Sequence, residues 1–336
     1  MKNLPKSVII SRTDNLGDVV VTLPMAGFIK SLSPSTKISF LGNSYTRSVI
    51  EACSFVDQFI DKKDVLQNPM VLGDSKANAI IFALPDKEMA RAAAKANIPI
   101  RVGTSHKVYH WFYCNKRVSF SRRKSDLHEA QLNFKLFKPL EVLTEPTFDQ
   151  IKDWYGLEFN NTGTNFSQWL SEEKFNLIIH PKSKGSAKEW GVENYAELVA
   201  QLPEKDFNIL ITGIKEEGEL LKQQVPQIFS HPHVKDVTGV FSLEQFMELI
   251  SKVDGFVAGS TGPLHIASAL GKHTLGIYPP IRPMHPGRWQ PIGQNAHHLV
   301  LDKDCGDCRK SETCACVKAI TINQVKAKLT AFVEGV

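Results

Sequence analysis

The stretch from Gly255 to Gly271 constrains the fold most strongly, because it carries three local signals in a fixed order. Gly255 to Ala258 is a short apolar run without polar alternation, as is typical of a strand buried in a parallel sheet. A turn of small residues follows. Pro263 then opens an apolar helix that Gly271 ends. This order predicts a β–α unit whose turn offers free backbone N–H groups to an anion.

The same apolar runs, separated by helical segments, recur in two series along the chain. We predict strands at 7–11, 37–41, 56–60, 79–84 and 100–103, and again at 175–179, 208–212, 234–237, 255–258, 273–278 and 295–301. Buried strands that alternate with helices predict an α/β fold with doubly wound parallel sheets. Residues from about 104 to 128 are predicted to be irregular.

A chain of 336 residues is long enough for two domains. The polar segment 156–165 has the composition of a linker. We therefore predict two Rossmann-like domains, at 1–160 and 161–316, followed by a C-terminal helix within 317–336. In such folds ligands bind outside the carboxyl ends of the strands, so we expect a cleft between the two domains.

Composition excludes several functional classes. A net charge of +5 suits an anionic substrate or membrane face but is too weak to indicate nucleic acid binding. The sequence has no apolar run long enough to span a bilayer and no signal peptide before the first strand, so we expect a cytoplasmic protein. The G-x-G-x-x-G fingerprint is missing after the first strand, which disfavours a nicotinamide-dependent dehydrogenase.

Two segments of the second series have the composition of a diphosphate site. The predicted turn contributes hydroxyls, small residues and an imidazole: Ser260, Thr261, Gly262, Pro263 and His265. The loop after the strand at 175–179 contributes hydroxyl, backbone and ammonium donors: Ser183, Lys184, Gly185, Ser186 and Lys188. The alternatives are an ordinary β–α turn with a capping hydroxyl and a solvated lysine-rich loop.

Carboxylates after two other strands are candidates for chemistry. Asp18 follows the first strand by a short loop, where it can act as a general base; Asp14 is its rival. The alternative role for Asp18 is that of a helix N-cap. Glu216 and Glu217 follow the strand that ends at Thr212, where a carboxylate can accept hydrogen bonds from ribose hydroxyls. We therefore predict that the nucleotide binds at Thr212, Gly213, Glu216 and Glu217.

Two further segments each allow more than one role. Four thiols lie within 12 residues, which allows a tetrahedral zinc site, reduced thiols or a disulfide: Cys305, Cys308, Cys314 and Cys316. The segment 109–124 combines five ring-bearing residues in a row with basic residues. It can contact a membrane surface or an acidic amphiphile, or form an ordinary packed loop with a solvated rim.

Several motifs together resemble the ADP-heptose:lipopolysaccharide heptosyltransferases of glycosyltransferase family 9. The first is Arg12-x4-Gly17-Asp18-x-Val20-x-Thr22-x-Pro24. The others are His180-Pro181 with Ala187-Lys188-x-Trp190, the run from Ser260 to Gly271, His128-Glu129 with Asn133, and the tail Cys316-Val-Lys-Ala-Ile320. They occur in the family's order over nearly the whole chain.

This resemblance implies a GT-B fold and an inverting transfer of heptose from ADP-heptose to a lipopolysaccharide core or similar glycan, with no required metal. The N-terminal domain would bind the acceptor, near Arg12, Asn15 and Gly17, and Asp18 would be the base. The C-terminal domain would hold the nucleotide sugar, with Lys188 neutralising its phosphates. The last helix would pack back on the N-terminal domain, and the protein would contact the cytoplasmic face of the inner membrane peripherally.

One residue departs from the family pattern. The family usually has aspartate where this chain has Ser260, and a serine lacks the charge-assisted hydrogen bond of a carboxylate to a sugar hydroxyl. The alternatives are therefore a transferase that uses another donor sugar and a non-catalytic relative that binds a sugar nucleotide or glycan. A sugar-nucleotide epimerase would need further acid–base residues, which the sequence does not identify.

Overall fold

A computed structural model describes residues 4–159, 162–303, 305, 306, 308, 311 and 313–335. The chain forms two compact units, Met1–Glu158 and Phe159–Val336. The first therefore ends two residues before the predicted boundary at 160. Of the predicted linker, Asn160 and Asn161 lie outside the described residues.

The first unit contains a six-stranded sheet in its described part, and every strand pair in it is parallel. Its strands are β1 (Ser7–Ser11), β2 (Lys37–Gly42), β3 (Gln58–Asp61), β4 (Ala79–Phe82), β5 (Ile100–Thr104) and β6 (Lys116–Val118), in the order β3-β2-β1-β4-β5-β6. Its α-helices are α1 (Leu16–Val20), α2 (Pro24–Leu32), α3 (Arg47–Glu51), α4 (Lys62–Gln67), α5 (Val71–Asp74), α6 (Lys87–Lys95), α7 (Val108–Tyr113), α8 (Glu129–Phe134) and α9 (Phe148–Lys152).

The second unit repeats this plan with a second parallel sheet of six described strands. Its strands are β7 (Phe175–His180), β8 (Phe207–Ile211), β9 (Val234–Asp236), β10 (Gly255–Gly259), β11 (His273–Tyr278) and β12 (Ala296–Val300), in the order β12-β11-β10-β7-β8-β9. Its α-helices are α10 (Val192–Gln201), α11 (Lys215–Gln224), α12 (Leu243–Lys252), α13 (Gly262–Ala269), α14 (Pro286–Trp289), α15 (Ala315–Lys318) and α16 (Ile322–Glu334).

The predicted fold class, α/β with doubly wound parallel sheets, is confirmed. In each sheet the strand order reverses at one position, between β1 and β4 in the first unit and between β7 and β10 in the second. At such a position the connections leave in opposite directions, and a crevice opens at the carboxyl ends of the strands. The loops after β1, β7 and β10 all begin there, and they carry the predicted base, acceptor and phosphate residues, whereas the predicted nucleotide residues follow β8.

One local prediction was wrong. Residues 104–128 are not irregular, because α7 and the edge strand β6 lie within them. The helical segment after the first loop is divided: α1 ends at Val20, and Pro24 begins α2. Proline suits a helix start because its fixed φ is helical and its missing N–H has no partner there.

The last helix packs within the second unit. Val325, Leu329 and Phe332 of α16 are buried in the core of the second unit. The Phe332 ring lies 5.0 Å from the His273 ring and 5.4 Å from the His297 ring, both in the same unit. The apolar face of α16 is thus buried within the second unit, and the packing of this helix on the first domain stays a prediction. None of the described helices is long and apolar enough to cross a membrane.

Candidate functional site

Arg12 organises the polar residues at the carboxyl end of β1. Its backbone N–H continues the strand by donating to the carbonyl of Leu41, and its side chain is almost fully buried. Nε lies 2.7 Å from Asp14 Oδ1, Nη1 lies 3.0 Å from Glu129 Oε1, and Nη2 forms an ion pair with Asp18. A single guanidinium therefore holds three carboxylates at this edge of the sheet.

A second guanidinium completes this cluster. Arg122 forms an ion pair with Glu129, and its Nη2 donates to Asn133 Oδ1 at 3.0 Å. The five ionisable side chains are two arginines, Arg12 and Arg122, and three carboxylates, so the cluster has a net charge of −1 when all are ionised. A proton bound by one carboxylate would make it neutral.

Asp18 is the carboxylate best placed to take that proton. Burial raises its pKa to about 6; the Arg12 guanidinium lowers the pKa, while the charges of Asp14 and Glu129 raise it further. Asp18 is the third residue of α1, whose N-cap is Asn15, so the alternative role of Asp18 as the N-cap was wrong. A carboxylate with this pKa is suited to general base chemistry near neutral pH.

The three residues predicted to meet an acceptor occupy one loop and helix start. Arg12 is buried in the cluster, Asn15 is exposed at the N-cap position of α1, and Gly17 lies within α1 beside Asp18. The sequence motif included Glu129 and Asn133 without a role for either. Both residues contact the two arginines, and the sequence did not predict these contacts. An acidic residue such as Glu129 at a helix start is common for purely local reasons, so its presence there did not indicate a functional role.

The turn after β10 has the predicted form. β10 ends at Gly259, α13 begins at Gly262 with Pro263 in its first turn, and Gly271 beyond its end has a φ of +74°. The Thr261 hydroxyl does not cap α13, and Thr261 Oγ1 is buried without a hydrogen-bond partner in the described part of the chain. A buried hydroxyl without a partner at a helix N-terminus is a candidate ligand for an oxyanion, because leaving it unpaired is unfavourable.

The flanking residues of this turn are held by neighbours from β11 and α14. The Tyr278 hydroxyl, whose pKa is raised by burial and lowered by the neighbouring Ser260 side chain, donates to the carbonyl of Trp289 at 2.6 Å. His265 is buried, with its ring 6.4 Å from the Trp289 ring. Tyr278 was not predicted as a site residue, because it lies at the end of a mostly buried strand and its sequence context indicates a core position.

The loop after β7 is organised by a carboxylate that sequence reasoning passed over. Glu189 accepts hydrogen bonds from the Ser183 backbone N–H at 3.0 Å and from its hydroxyl at 3.1 Å, and it pairs with Lys182 at 2.6 Å. Ser186 donates to the carbonyl of Ser183 at 2.8 Å. Lys184 and Gly185 have φ values of +49° and +79°, which form the sharp bend of the loop. Glu189 therefore occupies donors that were predicted for phosphate.

The structure brings this loop and the turn after β10 together. A Cβ built on Gly259 would lie 3.2 Å from Ala187 Cβ and 3.7 Å from the carbonyl oxygen of Lys188. Lys188 itself is buried, and its ammonium donates to the backbone carbonyl of Ser311.

A cleft of about 820 Å³ in the second unit opens beside this loop. Ser183, Gly185 and Lys188 line it, together with Ser311 and Lys318. Its volume is in the range of small-molecule sites. Lys184, Ser186 and the predicted residues of the 260–265 turn are not part of its lining.

The predicted nucleotide residues have structural partners. Thr212 Oγ1 lies 2.8 Å from His180 Nδ1, and burial lowers the pKa of that histidine to about 4. Glu217 accepts from the backbone N–H of Ile214 at 2.9 Å, at the start of its own helix, and packs against Gly213. Glu216 is exposed. Of the two glutamates, Glu216 alone therefore presents its carboxylate to solvent.

The four C-terminal thiols do not form the zinc site that their spacing allowed. Burial and the neighbouring Cys314 and Cys305 raise the pKa of the Cys308 thiol, burial and the neighbouring Cys305 and Cys314 raise that of Cys316, and all four are free thiols. Within the described residues, no group of three or more His, Cys, Asp or Glu side chains could hold a metal ion.

Comparisons with known proteins agree with the motifs. The sequence profile of glycosyltransferase family 9 (heptosyltransferase) matches residues 75–318. The lipopolysaccharide core heptosyltransferase OpsX of Haemophilus influenzae is 25% identical over 285 residues, which cover 82% of this chain and 79% of that protein.

Solved structures share the fold. ADP-heptose LPS heptosyltransferase II of Escherichia coli superposes with a TM-score of 0.76 at 18% identity, covering 98% of each chain. E. coli heptosyltransferase WaaC, solved with ADP, has a TM-score of 0.72 at 16% identity, covering 97% of this chain and 99% of that chain. Because the family profile spans most of the chain, the chain belongs to glycosyltransferase family 9, the heptosyltransferase family.

Proposed function

We propose that the protein is an inverting heptosyltransferase that transfers heptose from ADP-heptose to a lipopolysaccharide-core acceptor at the cytoplasmic face of the inner membrane. Family membership and the names of the relatives support the donor and acceptor classes. The observation that carries the mechanism is Asp18, a mostly buried carboxylate with a pKa of about 6 in a cluster of net negative charge.

In the proposed reaction an acceptor hydroxyl gives its proton to Asp18, and its oxygen attacks the anomeric carbon of the donor. The bond from that carbon to the diphosphate oxygen breaks, and ADP leaves with the bonding electron pair. Attack from the face opposite the leaving group inverts the anomeric carbon. Protonation of Asp18 also removes the excess negative charge of its cluster, which favours the step.

The second unit would stabilise the leaving diphosphate. The N-terminus of α13 and the Thr261 hydroxyl would bind phosphate oxygens, and Lys188 would move from the Ser311 carbonyl to neutralise the developing charge. Ser183 would contribute donors once the diphosphate displaces the Glu189 carboxylate. Because these groups supply positive charge and hydrogen-bond donors, we propose a transfer that needs no metal.

The test begins with calorimetry of the purified protein against ADP, UDP, GDP and CDP. Transfer from ADP-heptose to a delipidated lipopolysaccharide core is then assayed with and without a chelator, and the product's anomeric configuration is read by NMR. Asp18→Asn should lower turnover by roughly 10²–10⁴-fold while leaving the Kd for ADP-heptose within about twofold. Near-normal turnover of Asp18→Asn would remove Asp18 as the base.

One observation favours a second candidate, a relative that uses another donor sugar or that binds without transfer. The Ser260 hydroxyl lies beside the buried Tyr278 hydroxyl, at a position where the resemblance leads us to expect a carboxylate for the donor sugar. Preference for a nucleotide other than ADP would support another donor. Binding of ADP-heptose without transfer would support the binding-only relative.

A further inference from the structure

Helix α7 presents an apolar face to solvent. Val108, Trp111 and Phe112 are 74%, 60% and 77% exposed. They are spaced i, i+3 and i+4, so they share one side of the helix. We call these three residues the α7 face.

The opposite side of α7 is anchored in the first unit. His110 is fully buried, its ring lies 5.9 Å from the Phe82 ring, and its Nδ1 accepts from the Thr104 backbone N–H at 2.9 Å. Tyr109 and Tyr113 pack against the core of that unit. The α7 face is therefore held outward by a fixed helix, and most of its surface is exposed to solvent.

The surroundings of the α7 face are strongly basic. Residues 105–125 contain six lysines and arginines and no aspartate or glutamate. Lys107 and Lys116 are exposed, and the guanidinium of Arg117 lies 4.5 Å from the centroid of the Trp111 ring. Apolar and aromatic side chains with a basic rim are complementary to a bilayer with anionic headgroups.

The α7 face also lies at the functional edge of the sheet. β1 and β5 belong to one parallel sheet, so Ser11 and Thr104 end at the same edge. The Trp111 indole N–H donates to the carbonyl of Ser105, directly after β5, at 2.8 Å. Arg122 of the same basic segment is bound to Glu129 in the cluster of Asp18.

We propose that the α7 face, with its basic rim, docks the protein on an anionic phospholipid bilayer. Trp111 and Phe112 enter the interfacial region, while Lys107, Lys116 and Arg117 pair with lipid phosphates. This docking inference rests on the proposed function, because only a transfer to an acceptor carried by a membrane gives the protein a reason to dock. Docking would present that acceptor beside Asp18.

The experiment measures cosedimentation of the full chain with vesicles of phosphatidylcholine alone and with vesicles that also contain phosphatidylglycerol. Binding should require the anionic lipid and weaken as salt is raised. Trp111→Ala/Phe112→Ala and Lys116→Glu/Arg117→Glu should each lower the partition coefficient by about tenfold or more. Leu66→Ala/Leu220→Ala, which removes two exposed leucines elsewhere, should leave it unchanged.

Transfer to a delipidated acceptor separates this inference from the proposed function. Trp111→Ala/Phe112→Ala should keep the wild-type rate with that acceptor, which also shows that the variant is folded. The docking proposal is overturned if the wild type does not bind anionic vesicles or if this variant binds them equally well. It is also overturned if the wild type is a dimer that the same variant dissociates, because a second copy would then cover the α7 face.

Discussion

At the scale of single residues, the chemistry of Asp18 depends on the charges that surround it. The Arg12 guanidinium alone would stabilise an ionised Asp18, but burial and two further carboxylates act in the opposite direction. The result is a carboxylate that is ionised at neutral pH and still basic enough to accept a proton.

The pH dependence follows from this raised pKa. A general base must be ionised before it accepts a proton, so kcat/KM should fall as pH decreases through about 6 and continue to fall about tenfold per pH unit below it. A rate profile on the delipidated acceptor measures this, with far-UV circular dichroism to show that the fold persists. An acid limb near pH 4, the ordinary range of an aspartate, would contradict the environment described for Asp18.

Glu129 is expected to act as a positioning residue. It binds both arginines of the cluster and raises the pKa of Asp18 through its charge. Glu129→Gln keeps the side-chain shape but removes that charge. The acid limb of kcat/KM should therefore move to lower pH, and turnover should fall because Arg12 is held less firmly.

The matched control for Glu129→Gln is Asp57→Asn. It removes a carboxylate of the same unit whose side chain is 45% exposed and pairs with Lys30. Its profile should coincide with that of the wild type. A Glu129→Gln variant that loses stability but keeps the wild-type acid limb would show a structural role only.

At the scale of elements, the candidate phosphate site is a strand end and a helix start joined by a short turn. Gly262 and Pro263 start α13, and Gly259 lets the turn lie against the loop at Ala187. Thr261 Oγ1, directly before this helix start, is buried without a hydrogen-bond partner in the described residues.

Thr261→Val tests whether the Thr261 hydroxyl binds phosphate, because the variant should weaken the binding of ADP without lowering the stability of the fold. Removal of a buried hydroxyl without a partner should leave the free energy of unfolding unchanged or raise it by up to about 1 kcal/mol, while the Kd for ADP rises about tenfold. Ser268→Ala is the control. The Ser268 hydroxyl donates to the His265 carbonyl at 3.0 Å, so its removal should lower the free energy of unfolding by about 1 kcal/mol and leave the Kd for ADP unchanged. Loss of both stability and affinity in Thr261→Val would mean that the hydroxyl supports the fold.

At the scale of the whole molecule, two units of the same architecture carry different polar groups at equivalent places. Each has a parallel sheet that reverses its strand order at one position. The loops there hold a carboxylate cluster in the first unit, and hydroxyls, backbone N–H groups and lysines in the second. The architecture therefore sets where ligands bind, and the loop side chains set which ligand each unit accepts.

Hydrogen exchange of the full chain should show which unit binds the donor and which binds the acceptor. ADP should slow amide exchange in 182–191 and 260–269, because the diphosphate would order the backbone that binds it. An acceptor glycan should instead protect 12–20 and 122–133. Peptides of α4 and α5 serve as an internal control that neither ligand should change. Protection by ADP confined to the first unit would contradict the assignment of the donor to the second.

The sequence by itself determined the fold class, the two-part organisation and the positions of the β–α turns. These features depend on local signals, namely apolar runs without alternation, proline at a helix start and glycine at a helix end, and such signals act within a few residues. Eleven predicted strands have counterparts in the structure; β6 was missed because its three residues carry a polar pattern.

Only the tertiary structure decided which side chains work together. Glu129 is 117 positions from Arg12, and Ser311 is 123 positions from Lys188, so no local pattern relates either pair. The packing of α16 within the second unit and the outward orientation of the α7 face were likewise decided by which surfaces the rest of the chain left available. Contacts of this kind depend on the folded arrangement of whole elements, and so does the pKa of Asp18, because burial and three neighbouring charges set it.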